Sequence, residues 1–519
     1  MFKTNEFTNY QAIKSAIGYL SCSRISRSIA KKKQVLLALL CMLVVTACSD
    51  ADDIDRDSPI ATITSHQFGE EITGSQNTTL AGTVSSDVSS LTVKLNDAAA
   101  VEVTPVGVDF STDLTLAQGT NTIVIKVRDA TGNSRTSSFT LHFPFLALTN
   151  DQAAAVVIGQ NNVDVNQANQ GNSTPEANSL NQLMGAPFKT SNGTLYLPDT
   201  GNNRILGFSS VPADNNLSAS SIVGQVDFVS NTADVSPTKL NAPSGFVITD
   251  SQYFAVDTGN NRVLIWGAFP SKEDVNAIVV LGQTDFISAA SGCGADTLSA
   301  PSSIRVVNDK LILSDSGNHR VLIWNTIPTV SEFESADVAP DLVIGQQNLN
   351  VCAPNDPSGT GTTAASPTAS TLSGAGDIWS DGERLLVADT DNHRILIWNT
   401  FPTTDGQAAD HVLGQADMNT AVPGLTQNGL SAPKSVYSNG NQVFVADSGN
   451  ERVMIWDTFP AANQTNANRV IGQVDFVTKD VSQTSGTRMT GYDSLFADRD
   501  QLLIVDSNRV MVFQVPQVP

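Results

Sequence analysis

The densest run of reactive side chains is Asp389-Thr-Asp-Asn-His-Arg394, with two carboxylates, an imidazole and a guanidinium inside six residues. Alone, such a run could hold a metal ion or pair a general acid with a general base. It is not alone. Related runs begin at Asp199, Asp257, Asp315, Asp447 and Asp506, at successive intervals of 58, 58, 74, 58 and 59 residues. A fixed period of this size marks a repeat architecture, which has to be settled before any site is assigned. A residue present in every copy cannot mark one active site. The pairs Asp199/Arg204, Asp257/Arg262, Asp315/Arg320, Asp389/Arg394, Asp447/Arg452 and Asp506/Arg509 are therefore expected to be scaffolding at a turn between two strands. Gly and Asn between them tolerate the left-handed turn, Asp can accept backbone N–H groups, and Arg can pair with a carboxylate. His319 and His393 occupy a turn position also filled by Asn203, Asn261 and Glu451, and are expected to be exposed. Trp266, Trp324, Trp398 and Trp456 share a position taken by Phe208 and Phe513 in the end copies, a pattern of packing between repeats.

Each repeat reads as four strands. An entry segment follows Leu-x-Ala-Pro (Leu240, Leu298 and Leu430, with looser versions at Met184, Leu372 and Met489). An apolar run into Asp, an Arg-Val-Leu-Ile-Trp run and a Val-Ile-Gly-Gln segment complete the unit. Four turn-linked strands per repeat describe propeller blades. The pattern Leu-x-Val-Ala-Asp-x-Gly-Asn-x-Arg-Val resembles the NHL-repeat family across 154–515, and the resemblance implies a six-bladed propeller. The sixth copy supplies only three segments, and the spare Val156-Val-Ile-Gly-Gln160 upstream is expected to complete it. The fold class is thus all-β: a six-bladed propeller over 150–519, closed by an N-terminal strand in its last blade and preceded by a small β-sandwich.

That sandwich is read from short alternating segments over 59–145. Leu116 to Asn133 resembles bacterial immunoglobulin-like domains of the glucodextranase domain B type, and Asp129 and Asn133 are expected to be turn residues. Ahead of it, Lys31-Lys-Lys33 and an apolar stretch end at Val45-Thr-Ala-Cys48. The stretch suits a secretory signal and is short for a membrane span. Val45, Ala47 and Cys48 resemble a bacterial lipoprotein signal over 1–47, which implies a lipidated Cys48 and anchoring to a membrane. An acidic tether at 48–58 would follow, and Ser49 implies sorting to the outer membrane, facing the periplasm or the cell surface.

The chain carries a net charge of −22, and residues beyond 47 carry −28. That field disfavours nucleic acid and anionic membrane surfaces as partners. Export implies an oxidising compartment, so Cys293 and Cys352, on neighbouring loops, are expected to form a disulfide. The loops from Gln to the next Leu or Met span 15 or 16 residues in four repeats, but 26 after Gln346 and 24 after Gln160. Residues following Ala-Pro should approach the central channel: Phe188-Lys189, Ser244-Gly245, Ser302-Ser303, Gly376-Asp377, Lys434-Ser435 and Asp493-Ser494. They include no histidine, which argues against a zinc lyase. No cofactor is expected; a Ca²⁺ ion on Asp377 and Asp493 is the exception these residues leave open. The resulting expectation is a monomeric, non-catalytic binding or scaffold module for an envelope protein, small molecule or glycan. The alternative is a Ca-dependent, lactonase- or lyase-like propeller hydrolase with its site in the channel.

Overall fold

The computed structural model describes residues 59–514, apart from 73–75, 118, 272–274, 330–337, 482–483 and 499–500. The signal segment, the tether and Cys48 lie outside the described residues.

The N-terminal unit packs a three-stranded sheet (Ala61–Ile63, Asn77–Val84, Asp109–Thr115) on a five-stranded one. Strict alternation along Gly119–Asp129 turns Ile123, Ile125 and Val127 inward, where they meet Leu80, Leu91 and Leu141. Asn121 is buried between the sheets. Its Oδ1 accepts from Asn96 Nδ2 and Ala117 N, and its Nδ2 donates to the carbonyls of Ala117 and Gly119. Asp129 accepts from Asn133 N, Asn133 Nδ2 and Thr131 Oγ1, so it does close a hairpin.

Six four-stranded antiparallel sheets follow among the described residues, arranged as the blades of a propeller. From blade 2 to blade 6 the innermost strand of each touches that of the next, and Ser494 Oγ of the sixth donates to the Gly185 carbonyl of the first. In blade 4 the strands are Ala375–Ser380, Leu385–Asp389, Arg394–Trp398 and His411–Leu413, from channel to rim. The second and third strands of this blade are buried along their whole length. Neighbouring blades cover both faces, which is why these strands read as continuous apolar runs rather than alternating ones. The core clusters of the propeller draw side chains from successive blades. Trp398 packs among residues of blades 3 and 4, Trp456 among those of blades 4 and 5.

The strand Val156–Ile158 pairs with Arg509–Gln514 as the fourth strand of the sixth sheet. All three of its residues are buried, and it covers an edge that would otherwise expose unpaired backbone. The propeller core also begins earlier than residue 150. Leu146 and Leu148 are buried between blades 5 and 6, and the Leu146 backbone exchanges two bonds with the Gln442 amide. The segment joining the two units is therefore docked rather than free. Removing 150–162 should cost several kcal/mol, at about 1.5–3 kcal/mol for each buried Val or Ile. Thermal unfolding that matches the intact chain would rule out this closure.

Candidate functional site

The face carrying the Asp–Arg hairpins and the long loops is the upper face; the opposite face meets the sandwich. The repeated Asp and Arg were expected on the turn itself, and the structure corrects this. Asp199, Asp257, Asp315, Asp389, Asp447 and Asp506 each end the second strand of a blade. Arg204, Arg262, Arg320, Arg394, Arg452 and Arg509 each begin the third. Every pair stands opposite in the strand register, and the turn proper is made only by the residues between them. All twelve side chains are at 0% exposure, so the expected Asp–Arg pairing is an interior one.

The physical reason is that each of the three guanidinium nitrogens finds an acceptor in the blade or its loops. Arg394 Nε donates to Asp389 Oδ2 at 2.7 Å, Nη1 to the Met418 carbonyl, and Nη2 to those of Thr368 and Thr371. Arg204, Arg262, Arg320, Arg452 and Arg509 repeat the Nε–Asp contact at 2.7–2.8 Å. Their Nη1 groups reach the carbonyls of Phe228, Phe286, Leu349, Phe476 and Val163 in turn. Asp389 also accepts from Asn392 Nδ2 and the Ser373 amide. Burial pushes the six carboxyls up, and the guanidinium and N–H donors pull them back. With their donors spent on backbone carbonyls, the arginines pin the upper loops and have nothing left for a ligand.

The turn histidines are not exposed, contrary to expectation. His319 and His393 sit in left-handed backbone at φ 54° and 56° and are half-buried. Their Nδ1 atoms accept from the backbone N–H of Gly374 and Ala432 in the following blade, each at 2.9 Å. Asn203 and Asn261 do the same for Ala242 and Ala300, and Asn508 does it for Gln182. The position is a latch between blades. At the joint between blades 5 and 6 it holds Glu451, whose Oε2 is buried without a partner, while Gly491 N turns to Asp506. Burial pushes the Glu451 carboxyl up.

The repeated Gly-Gln is structural too. Gln415 Nε2 donates to the carbonyls of His393 and Val422, closing the loop that follows, and the other five blades repeat the pattern. A side chain on Gly414, at φ 91°, would strike Leu430. The same pairing corrects the first blade: Gly159 faces Leu180, and Asn181 N bonds Asp199. The entry residue there is Leu180, not Met184, so that loop is shorter than counted. Consequently Gly185 and Ala186 line the upper mouth, while Lys189 belongs to the lower end.

The upper mouth is a cavity of about 350 Å³ bordered by Gly185, Ser302, His319, Asp391, Lys434 and Asp493, with Asp377 deeper. His319 thus reaches the channel mouth although it lies on no entry strand. Burial depresses its pKa, opposed by Asp391 and Asp389; with Nδ1 accepting, the proton is on Nε2. Asp377 and Asp493 share this mouth, and both are already engaged by protein donors. Asp377 accepts from Ser303 Oγ, Ser435 Oγ and Arg305 Nη2. Asp493 is paired with Lys434. Among the described residues no three His, Cys, Asp or Glu side chains are grouped to hold a metal.

Cys293 and Cys352 are joined in a disulfide, tying the loops ahead of blades 3 and 4. The long loop beyond is organised by Asp356, which sequence reasoning missed. It accepts from the Ser358 hydroxyl and from the amides of Ser358, Gly359, Gly361 and Thr362. The Ser358 hydroxyl leads in lowering its carboxyl to about 2. An Asp followed by Pro-Ser-Gly-Thr-Gly-Thr was the available signal.

Residues 59–145 match the family model described as glucodextranase, domain B. That assignment covers the sandwich. No curated protein sequence matches the chain. Among solved structures, catalytically inactive virginiamycin B lyase from Staphylococcus aureus with quinupristin aligns at 9% identity and TM-score 0.34, over 84% of this chain and 99% of that one. The computationally designed Ika8 protein aligns at 9% and 0.32, over 82% and 96%. The nidogen/laminin complex aligns at 14% and 0.29, over 56% and 84%. Likenesses this distant carry no functional argument, and the fold stands on the strand pairing.

Two outcomes follow from this geometry. Arg394→Met strands a buried carboxylate and should cost about 3–5 kcal/mol in chemical denaturation. Asp391→Asn, in the same hairpin but exposed, should stay within about 0.5 kcal/mol. The histidine latches set a pH dependence. Burial lowers both imidazoles below the usual 6.5, so the unfolded chain binds more protons. Stability is therefore full above 6.5 and is lost as pH falls towards the folded pKa values. Replacing both by Asn, which latches other blades, should flatten melting temperature against pH in that window; an unchanged slope would refute the role.

Proposed function

We propose that the chain is a lipid-anchored envelope protein whose NHL-type propeller is a binding module for a small polar ligand or a protein loop at its upper mouth. The observation that carries the reading is the state of the charged groups there. Asp377 is saturated by two serines and Arg305, whereas the His319 imidazole and the paired Lys434 and Asp493 border an open cavity. Such a site is built to orient a guest, because its donors are held in place by the latches before anything binds. The six Asp–Arg hairpins support the NHL assignment. A hydrolase with a channel Ca²⁺ would have to free Asp377 from three side-chain donors and Asp493 from Lys434.

The anchor and the periplasmic or surface location rest on Val45-Thr-Ala-Cys48 and Ser49. In cells fed an alkyne fatty acid, the wild type should take up label and sediment with outer membranes, and Cys48→Ala should do neither. For the binding reading, native mass spectrometry after exposure to envelope extract should show a retained mass that Lys434→Met loses. Turnover of sugar lactones with added Ca²⁺, abolished by Asp377→Ala, would overturn that reading in favour of an enzyme.

A further inference from the structure

The opposite end of the channel holds a second, larger cleft of about 530 Å³. Glu71 and Pro144 from the sandwich side border it, facing the inner hairpins of blades 1, 4, 5 and 6. The two units are held at this edge by Asn441 Nδ2, which donates to the carbonyls of Ile72 and Pro144. We infer that this cleft is a binding site for an uncharged glycan, separate from the upper mouth and independent of how that mouth is read.

Trp379 carries the inference. The chain has five tryptophans. Trp266, Trp324, Trp398 and Trp456 each donate their indole N–H to a backbone carbonyl at 2.7–3.1 Å. Trp379 is outside the repeat pattern, sits on the innermost strand of blade 4 and lines the cleft. The residue as a whole is 6% exposed, but its indole N–H bonds no described residue and is not sealed from solvent, so it is open to water where the ring lines the cleft. A donor without a protein partner in a cleft wall can give its hydrogen to a ligand acceptor in place of water. Tyr437, on the innermost strand of blade 5, repeats the situation: it lines the cleft, and its hydroxyl bonds no described residue. Burial pushes that phenol up to about 12, which keeps it a neutral donor.

The rest of the lining favours a sugar. The Tyr437 and Phe496 rings lie 5.1 Å apart at 57°, both half-buried, giving apolar surface for the C–H face of a pyranose. Two pairs of opposite charge stand at the cleft, Lys189 with Asp498 and Arg384 with Asp381, and Glu71 adds one carboxylate. Arg384 is further fixed over the Phe459 ring at 3.9 Å. The excess carboxylate disfavours an anionic guest, and no cation of the lining is left unpaired to select one. The volume falls within the range of about 300–1,000 Å³ usual for small-ligand sites.

The test uses the chain from residue 48 onward with maltotriose, cellotriose and chitotriose as probes, read by saturation-transfer NMR and calorimetry. At least one trisaccharide should bind. Trp379→Phe and Tyr437→Phe, each deleting one polar hydrogen, should weaken it by about tenfold. Lys434→Met at the upper mouth should leave sugar binding unchanged. The inference fails if no trisaccharide binds, or if binding survives both aromatic variants undiminished. It also fails if Lys434→Met alone abolishes it, which would put the sugar in the upper mouth, or if acetyl-trialanine amide binds in place of the sugars. Unaltered melting temperatures for the two aromatic variants separate loss of a contact from loss of the fold.

Discussion

The buried guanidinium–carboxylate pair is the constraint on which the propeller depends. Each repeat Arg and its Asp are removed from water, a step that would cost several kcal/mol per ion if their bonds were incomplete. They are complete: Arg394 reaches one carboxylate and three carbonyls, and Asp389 takes two further N–H donors. Because the carbonyls come from Thr368, Thr371 and Met418, one side chain fixes the loop entering its blade and the loop leaving it. Arg204, Arg262, Arg320 and Arg452 do the same for their own blades. The upper face is consequently rigid at the places where propellers would otherwise carry mobile loops. The long loop after Gln346 keeps this order through its own Asp356 and through the Cys293–Cys352 disulfide to the neighbouring loop.

Joining rigid blades into a ring is a separate problem, and a different residue solves it. The left-handed turn residue reaches across to the next blade, and Asn or His supplies a neutral acceptor for a backbone N–H. Glu451 is the exception. A carboxylate could accept the same bond more strongly, yet here Gly491 N is committed to Asp506, and buried Glu451 Oε2 has no hydrogen-bond partner among the described residues. The turn of blade 6 is shorter, with Asp506 three residues before Arg509 where the other blades have five. Its Asp506 takes both Thr490 N and Gly491 N. The joint between blades 5 and 6 is therefore the weakest latch in the ring. It is also where Leu146 and Leu148 insert, so packing from outside the repeats reinforces the seam that the latch does not hold.

What could be read from residues alone was whatever recurs. The spacing of Asp-x-Gly-Asn-x-Arg gave the blades, and the spare Val156–Ile158 strand gave the pairing partner of Arg509–Gln514, because identical contacts write identical patterns. The failures share a cause. Arg204 and its five counterparts read as turn residues because the carbonyls that let a guanidinium be buried are backbone groups, which no side-chain pattern records. Met184-Gly-Ala-Pro187 imitates Leu-x-Ala-Pro, but the true entry is Leu180, recognisable only by its contact with Gly159. His319 was expected in solvent because its partner, Gly374 N, lies 55 residues away in another blade. Asp377 looked like a free channel carboxylate because Ser303, Arg305 and Ser435 converge on it from blades 3 and 5. Contacts that every blade makes, within itself or to the next, recur in sequence, whereas contacts across the channel do not.

The same distinction separates scaffold from site. Four tryptophans obey the period, and each has its N–H bonded within its own repeat. Trp379 breaks the period and has no such bond among the described residues. A residue that recurs is constrained by a contact that every blade needs, so its chemistry is spent before any ligand arrives. An inner-strand residue that occurs once is free of that demand, and its polar atoms face whatever the channel holds. In this chain the singular residues gather at two ends: His319, Lys434 and Asp493 above, and Trp379, Tyr437 and Phe496 below. The upper set is ionic and the lower set aromatic and charge-paired, so the two mouths of one rigid ring present different chemistry. If the two proposed sites bind, their selectivity lies with these aperiodic residues, while the Asp–Arg framework holds the surrounding loops.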